Sequence, residues 1–337
     1  MHMSDALVSP VVAGVMFACS AVAIGLSIRG TRSGSGDAER RIPMMGVMGA
    51  FVFAAQMINF SIPGTGSSGH LCGGMLLSAL LGPSAGFLTM TAILLVQCLL
   101  FADGGLMALG CNVWNMGFYG CFIGGFLIWR AFTGKGMTRG RIVAASVVGS
   151  VVSLLLGAFS VTLETLASGI TELPFAVFIR FMLPIHLVIG LVEGLITAAV
   201  LVFIFEARPE LLQGAGGQAG GDRRMKFSSV LAVLAAVTLV VGGLLSHLAS
   251  SDPDGLEWSV EKVTGTAEIE ADGPEWAADV QERTALLPDY AFKDSGRGTS
   301  FSGIAGALAV LVLCFIVGML FRRPTAVQVD SGAGGKD

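Results

Sequence analysis

Charged residues are scarce in this sequence. Only 20 Lys or Arg and 24 Asp or Glu occur in 337 residues, so they make up 13% of the chain, against roughly 25% in a typical soluble domain. Hydrophobic residues make up 53%. This composition excludes a soluble enzyme and predicts a protein embedded in a membrane, with lipid and no nucleic acid among its partners.

Cysteine and nucleotide-binding motifs are also lacking. No two of the six cysteines have C-x-x-C spacing, which excludes a disulfide framework and a zinc motif. We expect small buried thiols, with Cys72 as the exception to watch because it lies two residues after His70. The Gly134-Lys135 pair lacks the upstream glycine and the Ser/Thr of a P-loop. If the protein works against a gradient, another subunit must supply the energy.

Long apolar stretches follow one another, each close to the ~20 residues that a helix needs to cross a bilayer. A shorter stretch, His70–Leu81, cannot cross alone and is predicted to be a buried half-helix. We predict an all-α polytopic membrane protein, with a bundle of about seven helices and a two-helix C-terminal section. The predicted spans are Pro10–Ile28, Ile42–Phe60, Ser84–Phe101, Cys111–Trp129, Ile142–Leu166, Phe181–Phe205, Ser229–Leu248 and Phe301–Phe321.

Basic residues predict the orientation, because Lys and Arg favour the cytoplasmic side of a membrane. The basic clusters are Arg29–Arg41, Arg130–Arg141, Arg208–Lys226 and the segment after Arg322. They all fall on one side only if the His70 segment counts as a crossing. The prediction is a multi-pass protein of the cell (inner) membrane, with the N-terminus outside, the C-terminus cytoplasmic and the acidic segment Ser250–Ser300 external.

A glycine-rich tract from Gln213 to Gly221 divides the chain, and its composition is typical of a flexible linker. We therefore predict four parts. Residues 1–206 form a membrane bundle, 207–226 a cytoplasmic linker, 227–324 a helical pair with an external loop, and 325–337 a cytoplasmic tail.

The first two residues, Met1 and His2, form a potential metal chelator. The α-amine of Met1, the backbone nitrogen of His2 and its imidazole Nδ1 can close a five-membered and a six-membered ring around one ion. Three nitrogens in one plane favour Ni(II) or Cu(II) among the divalent metals. The signal is weak alone, and it requires a pocket that brings another nitrogen donor to this end.

Polar residues are dense on the outer side of the predicted bundle. Gly64, Gly66 and Gly69 permit tight turns at membrane depth, which are tolerated only where the backbone lines a cavity or is buried. An ionisable residue in such a place is a functional candidate, so His70 is either a ligand or a residue that only hydrogen-bonds within its loop. Asp103 is either a charge on the access path or a structural cap. Residues predicted to support the ligands are Asn59, Ser67, Ser68, Asp103 and Asn112.

Several motifs together resemble a known family. The motifs are Met1-His2, Gly64-Thr-Gly-Ser-Ser-Gly-His-Leu-Cys-Gly-Gly74, Leu81-Gly-Pro83, Asp103-Gly-Gly105, Gly110-Cys-Asn112 and His186-Leu-Val-Ile-Gly-Leu-Val-Glu193. They resemble the CbiM/NikM family of substrate-binding membrane components of cobalt and nickel energy-coupling-factor transporters. Pro253-Asp-Gly-Leu-Glu257 and Pro288-Asp-Tyr290 are similar to the small two-helix partner CbiN/NikN. The resemblance covers residues 1–324.

The resemblance implies a fused nickel-type subunit that works with a transmembrane coupling protein (NikQ/CbiQ type) and cytoplasmic ABC ATPases (NikO/CbiO type). It implies Ni(2+) as the transported substrate, with Co(2+) for cobalamin synthesis as the alternative. It also implies a ligand set: the Met1 amine, the His2 amide nitrogen and imidazole, and His70.

Two other functions compete with this interpretation. An intramembrane metalloenzyme would use His70, His186 and Glu193, but no H-E-x-x-H spacing occurs. We interpret His186 and Glu193, which share a helix face, as interior structural or coupling residues in preference to ligands. A passive channel is disfavoured because the sequence shows no repeated acidic or carbonyl-filter rings.

Overall fold

The computed structural model describes residues 1–33, 38–215, 225–267, 274–290 and 298–320. Almost all regular structure in these residues is helical. Five of the described helices are long and apolar enough to cross a membrane: Pro10–Arg32, Pro83–Phe101, Arg139–Ser168, Phe175–Ala207 and Thr299–Leu320. The prediction of an all-α polytopic membrane protein is confirmed. The tail 325–337 and most of the glycine-rich tract lie outside the described residues.

The N-terminal bundle begins with a short 3-10 turn at Asp5–Leu7 and ends with a long antiparallel helix pair. Its elements are α1 (Pro10–Ser33), α2 (Ala38–Gln56), β1 (Phe60–Ile62), β2 (Ser67–Gly69), α3 (Gly74–Leu81), α4 (Pro83–Phe101), α5 (Leu109–Asn112), a π-helical stretch (Val113–Ile128), α6 (Trp129–Thr133), α7 (Arg139–Ser168) and α8 (Phe175–Ala207). The predicted span Cys111–Trp129 is therefore the middle of one helix that runs from α5 through α6.

The antiparallel hairpin of β1 and β2 was not predicted. It pairs Phe60 with Gly69 and Ile62 with Ser67, and the turn between the strands has positive φ at Gly64 (79°) and Gly66 (71°). Glycine adopts this conformation without the steric cost that other residues bear. The prediction of tight turns is thus confirmed at Gly64 and Gly66 but is wrong at Gly69, which lies in strand β2.

The half-helix prediction is correct in kind but wrong in its start. α3 begins at Gly74, not at His70. Gly73 has a left-handed backbone (φ 86°), and the backbone N–H groups of Cys72 and Gly73 donate to the carboxylate of Glu193, at 2.8 and 3.1 Å. These bonds hold the segment that follows His70 outside α3.

Helices α7 and α8 pack closely because glycines of α8 face the backbone of α7. A Cβ on Gly190 would lie 2.9 Å from Val151 Cα, and one on Gly194 would lie 2.6 Å from Val147 Cα. In α-helical register, these contacts place His186 level with residues 154–157 of α7.

The C-terminal section contains α9 (Phe227–Gly243), a 3-10 turn (Leu245–Leu248) and α12 (Gly298–Leu320). The predicted span Ser229–Leu248 therefore overestimates α9, which ends at Gly243. Both helices pack on the bundle: a Cβ on Gly306 of α12 would meet the ring of Phe53 on α2 at 2.1 Å.

The segment between α9 and α12 also contains helices that were not predicted. They are α10 (Gly255–Thr264) and α11 (Glu275–Thr284). Helix α10 begins with a capping box, in which the Asp254 carboxylate accepts from the backbone of Leu256 and Glu257 while Glu257 accepts from the Asp254 backbone. Such reciprocal bonds satisfy the first N–H groups of a helix.

Candidate metal site

The N-terminal segment is inserted into the bundle. Met1 is 6% exposed and Met3 is fully buried. The side-chain amide of Asn112 pairs with Met3, accepting from its N–H at 2.7 Å and donating to its carbonyl at 3.1 Å. Gly105 N–H also donates to the Met3 carbonyl at 2.9 Å. These bonds fix the direction in which Met1 and His2 project.

Glycines make room for this segment. A Cβ on Gly105 would lie 1.8 Å from Asp5 Oδ1, and one on Gly104 would lie 2.8 Å from Asn112 Nδ2 and 3.4 Å from His2 Cβ. The loop Asp103–Gly105 therefore matches the inserted N-terminus by shape as well as by hydrogen bonding.

The His2 imidazole lies between two polar groups. Its Nδ1 is 3.2 Å from Asp103 Oδ1 and its Nε2 is 3.2 Å from Gln97 Oε1. Burial lowers the pKa of His2 to about 4, and the opposing effect of Asp103 is smaller. The ring is therefore neutral at physiological pH, which is the form that binds a metal.

His70 presents its free lone pair to the N-terminus. Its Nδ1 lies 3.0 Å from the Leu71 carbonyl, which can only accept, so Nδ1 carries the proton. Its Nε2 lies 3.4 Å from the Met1 nitrogen. A hydrogen bond from the other ring nitrogen to a carbonyl is the usual support of a metal-binding histidine. The ring also stacks on that of His2, with centroids 5.4 Å apart.

Asp254, a residue of the C-terminal section, lies in the same place. Its Oδ2 forms an ion pair with the Met1 amine and is 3.8 Å from His70 Nε2. Burial pushes the pKa of Asp254 upward, but the ion pair with the positive Met1 amine outweighs burial and holds that pKa well below its usual range. Asp254 was not predicted to be a residue of the site. Its D-x-x-E pattern could have revealed the helix cap, but not the contact with Met1.

A second residue of the C-terminal section, Tyr290, contacts Asp103, which in turn faces His2. The Tyr290 hydroxyl donates to Asp103 Oδ2 at 2.5 Å, while the other oxygen of Asp103 faces His2. Burial raises the pKa of Tyr290 well above its usual value, and Asp103 adds to the effect. The phenol therefore stays protonated and keeps its role as donor. Gln281 of α11 also donates to the Gly104 carbonyl at 2.9 Å.

The other residues that were predicted to support the ligands fall into three groups. Ser68 holds the segment between α9 and α12, because its N–H donates to the Pro253 carbonyl at 2.8 Å and its hydroxyl donates to that of Asp252 at 2.8 Å. Asn59 does the same through its backbone carbonyl, which accepts from Ser250 N–H at 2.7 Å. Ser67 is buried and bonds only locally, to the Ser68 carbonyl. Asp103 and Asn112 contact the N-terminal segment directly.

A chain of amides connects His2 to the segment that carries His70. Gln97 accepts from His2 Nε2 through its Oε1 and donates to Gln56 at 2.9 Å, and Gln56 donates to the Cys72 carbonyl at 2.8 Å. Cys72 itself is a buried free thiol whose Sγ lies 3.4 Å from the Met116 carbonyl. Glu193 supports the same segment from α8, as described above.

Within the part of the chain that the structure describes, no three His, Cys, Asp or Glu side chains are grouped so that they could hold a metal ion by themselves. A small cavity does lie at this point, lined by Met1, His70, Cys72, His186 and Asp254, among others. The backbone nitrogens of Met1 and His2 are further potential donors at this point.

Residues 2–211 match the CbiM family, described as the cobalt uptake substrate-specific transmembrane region, and residues 228–323 match the PDGLE domain. The chain belongs to the CbiM family, in its fused NikM–NikN form. Asp254 is the acidic residue at the start of its Pro253–Glu257 motif.

The relatives of this CbiM-family chain carry transport names. It is 34% identical over 321 residues to a putative fused nickel transport protein NikMN of Archaeoglobus fulgidus, covering 94% of this chain and 97% of that one. It is 30% identical to a fused nickel transport protein NikMN of Rhodobacter capsulatus, covering 79% and 78%. It is 32% identical to a cobalt transport protein CbiM of Geobacter sulfurreducens, covering 78% and 77%.

A solved structure also supports the assignment of an all-α membrane fold. The crystal structure of a truncated transition metal transporter is 28% identical, with a TM-score of 0.52, and the match covers 61% of this chain and 99% of that chain. The relatives named above are transport proteins rather than enzymes, which confirms the expectation that this chain is not an enzyme.

Proposed function

We propose that this chain is the substrate-binding membrane component of a nickel uptake transporter. It captures Ni(II) outside the cell through the Met1 amine, the His2 amide nitrogen, His2 Nδ1 and His70 Nε2. The observation that carries the proposal is the buried contact between the Met1 nitrogen and the lone pair of His70 Nε2, 3.4 Å apart.

That contact fits the fourth position of a planar chelate. The three N-terminal nitrogens bind in sequence around the ion, so the open position is adjacent to the Met1 amine. Two nitrogens in adjacent positions, each about 2.0–2.1 Å from the ion, lie roughly 3 Å apart. The observed separation therefore needs only a small contraction when the ion enters. When the ion binds, His2 Nδ1 must leave its contact with Asp103 and bind the ion instead.

Nickel is favoured over cobalt by the same chemistry. The His2 amide must lose its proton, and Ni(II) promotes this loss and accepts planar nitrogen coordination. The two NikMN relatives carry nickel in their names, which agrees with this choice. Cobalt uptake is the second candidate, supported by the family description and by the CbiM relative.

Two carboxylates suit this site to a cation. Asp254 faces the Met1 amine and Asp103 faces His2. A buried charge is costly unless it is paired, so these groups offset the positive charge of the ion.

The energy for uptake comes from other subunits. The sequence has no P-loop, and the family resemblance points to a transmembrane coupling protein and cytoplasmic ABC ATPases. The basic clusters between spans favour an external N-terminus and a cytoplasmic C-terminus.

The proposal is tested by titrating Ni(II) and Co(II) into untagged protein whose N-terminus has been verified by mass spectrometry. A variant with one residue added before Met1 removes the chelating amine, and His70→Ala removes the fourth donor. We expect both to lose stoichiometric nickel binding, whereas one residue added after Asp337 leaves it unchanged. Wild-type affinity in the N-terminal extension would overturn the ligand set.

A further inference from the structure

Helix α11 and the residues after it are bonded to the end of a membrane-spanning helix. The backbone carbonyls in the last turn of a helix have no partner within that helix. At the end of α4, Gln281 Nε2 of α11 donates to the Cys98 carbonyl at 3.1 Å, and the Leu287 N–H donates to the Leu100 carbonyl at 3.2 Å. The second half of α11 and the chain that follows it therefore lie at the level of the last turn of α4.

This level is the boundary of the lipid. Helix α4 has 19 residues, Pro83–Phe101, which correspond to a length of about 28 Å. The hydrocarbon core of a bilayer is about 30 Å thick. Helix α4 can therefore cross the core only if each of its ends lies where the hydrocarbon meets the headgroups. Residues that are bonded to its last turn lie at that interface.

Large apolar side chains on this part of the chain are exposed. Trp276 is 58% exposed, Val280 is 38% exposed and Leu286 is 76% exposed. Trp276 and Val280 are four residues apart, so they share one face of α11. On the adjoining face, Ala277 is fully buried. Helix α11 thus packs on the protein with one part of its apolar surface and leaves the other part uncovered.

The other helix of the same segment does not share this property. In α10, Leu256 and Val260 are each 3% exposed, and the Trp258 ring packs edge-on against Phe181, with centroids 5.7 Å apart. Protein therefore covers the apolar side chains of α10, whereas those of α11 require another partner. A group of exposed apolar side chains of this kind is typical of an interaction surface.

We infer that α11 is a membrane-surface helix, and that Trp276, Val280 and Leu286 insert into the lipid leaflet next to the metal site. Tryptophan is enriched at this depth because its ring is amphipathic, and an amphipathic helix in the interface buries its apolar face at the boundary between headgroups and acyl chains. Charge does not drive the contact, because the sequence of α11, EWAADVQERT, has more acidic than basic residues and so does not attract anionic lipid. Zwitterionic phosphatidylcholine is therefore a sufficient partner.

The contact with lipid also supports the metal site. Gln281 of α11 donates to the Gly104 carbonyl at 2.9 Å, in the loop that receives the N-terminal segment. Lipid that holds α11 at the end of α4 therefore holds Gln281 against this loop.

Fluorescence of the full chain in phosphatidylcholine nanodiscs tests the inference. Bromine on the acyl chains quenches tryptophans that lie in lipid, and the difference between the wild type and Trp276→Phe isolates the emission of Trp276. We expect lipid brominated near the glycerol end to remove most of that emission, and iodide in the water to remove little of it. The matched control is Trp258→Phe, because Trp258 packs against Phe181; the emission that this variant loses should be insensitive to brominated lipid.

Two outcomes would overturn the inference. Quenching of Trp276 by iodide but not by brominated lipid would mean that this face of α11 lies in water. Quenching by neither would mean that another protein surface covers it.

A second measurement does not depend on tryptophan. In a Cys19→Ser background, a nitroxide on Val280→Cys should collide more often with oxygen, which dissolves in lipid, than with water-soluble chromium oxalate. A nitroxide on Ala278→Cys is the matched control, because this exposed position lies about 160° away around the helix axis; it should show the reverse preference. Equal preferences at the two positions would also overturn the inference.

Discussion

The carboxylate of Asp254 does two things at once. Oδ1 caps α10 by accepting from Leu256 and Glu257, at 2.7 and 2.9 Å, while Oδ2 faces the Met1 amine. The cap fixes the position of the side chain, so its charge is directed to the metal site without further loss of conformational freedom. The cap and the charge can be separated, because asparagine is as good a cap as aspartate.

We therefore expect Asp254→Asn to weaken Ni(II) binding while leaving α10 intact. Loss of a buried charge-assisted interaction costs about 1.5–3 kcal/mol, which corresponds to roughly a tenfold to hundredfold rise in Kd. Isothermal titration calorimetry measures the change. Glu261→Gln on the same helix removes a charge away from the site and should bind like the wild type. Equal Kd values for Asp254→Asn and the wild type would show that Asp254 only caps the helix.

Nickel binding should strengthen as the pH rises. The ion displaces one proton from the Met1 amine and one from the His2 amide, and proton release makes metal affinity increase with pH. His2 releases no further proton above pH 6, because burial lowers the pKa of its imidazole to about 4. Calorimetry in buffers of different ionisation enthalpy should count about two protons per ion between pH 6.5 and 7.5. Three protons would mean that the imidazole is charged in the empty site.

At the residue scale, the sequence alone predicted those candidate ligands whose role follows from their own chemistry. Met1 and His2 form a chelator by covalent geometry alone, and His70 stood out because an ionisable group at membrane depth is costly. The contacts of Asp254 and Tyr290 could not be predicted in this way. Asp254 lies 253 positions from Met1, and no periodicity connects residues across that separation.

At the scale of elements, the loop between α4 and α5 receives the N-terminal segment. Gly105 leaves no space for a side chain, since its Cβ would lie 1.8 Å from Asp5 Oδ1. Asp5 Oδ1 in turn accepts from the backbone N–H of Ala108 at 2.9 Å. A methyl group at position 105 must therefore displace the segment that carries Met1 and His2.

Gly105→Ala should accordingly reduce nickel binding by at least a hundredfold, because ligands displaced by an ångström no longer share one ion. The control is Gly140→Ala at the exposed start of α7, where a Cβ would meet no atom within 4 Å. Equilibrium dialysis with radioactive nickel measures the nickel affinity of both variants. Normal binding in Gly105→Ala would mean that the N-terminal segment adjusts without loss of the site.

Helix positions were predicted better than helix ends and loops. Apolar runs identified every long helix, because burial in lipid requires them, but α9 ends at Gly243 and α3 begins at Gly74. The start of α3 depends on Glu193, which lies on α8 and binds the Cys72 and Gly73 N–H groups. Such a tertiary contact has no signature in the local sequence.

At the scale of the whole molecule, the C-terminal section closes the site that the N-terminal bundle forms. Composition alone predicted two sections joined by a glycine-rich tract, but not that the segment between α9 and α12 would lie over Met1 and His70. Side chains of the site are little exposed, at 5% for Met1, 10% for His70 and 14% for Asp254. We therefore expect that the segment between α9 and α12 must move before an ion can reach them.

A reversible cross-link tests this requirement. The hydroxyls of Ser61 on β1 and Ser250 at the start of the covering segment are 2.8 Å apart and exposed. Replacing both by cysteine should give a disulfide that holds the segment on the hairpin, because disulfide formation needs side chains that are already adjacent. We expect the oxidised double variant to bind and release nickel at least tenfold more slowly than the same protein after reduction, as followed by stopped-flow absorbance.

The single variants should exchange nickel at the wild-type rate under both conditions, since the native thiols other than Cys19 are buried. If exchange in the oxidised protein is as fast as in the reduced protein, the ion reaches Met1 and His70 without lifting this segment, and the route must run instead between the helices of the bundle.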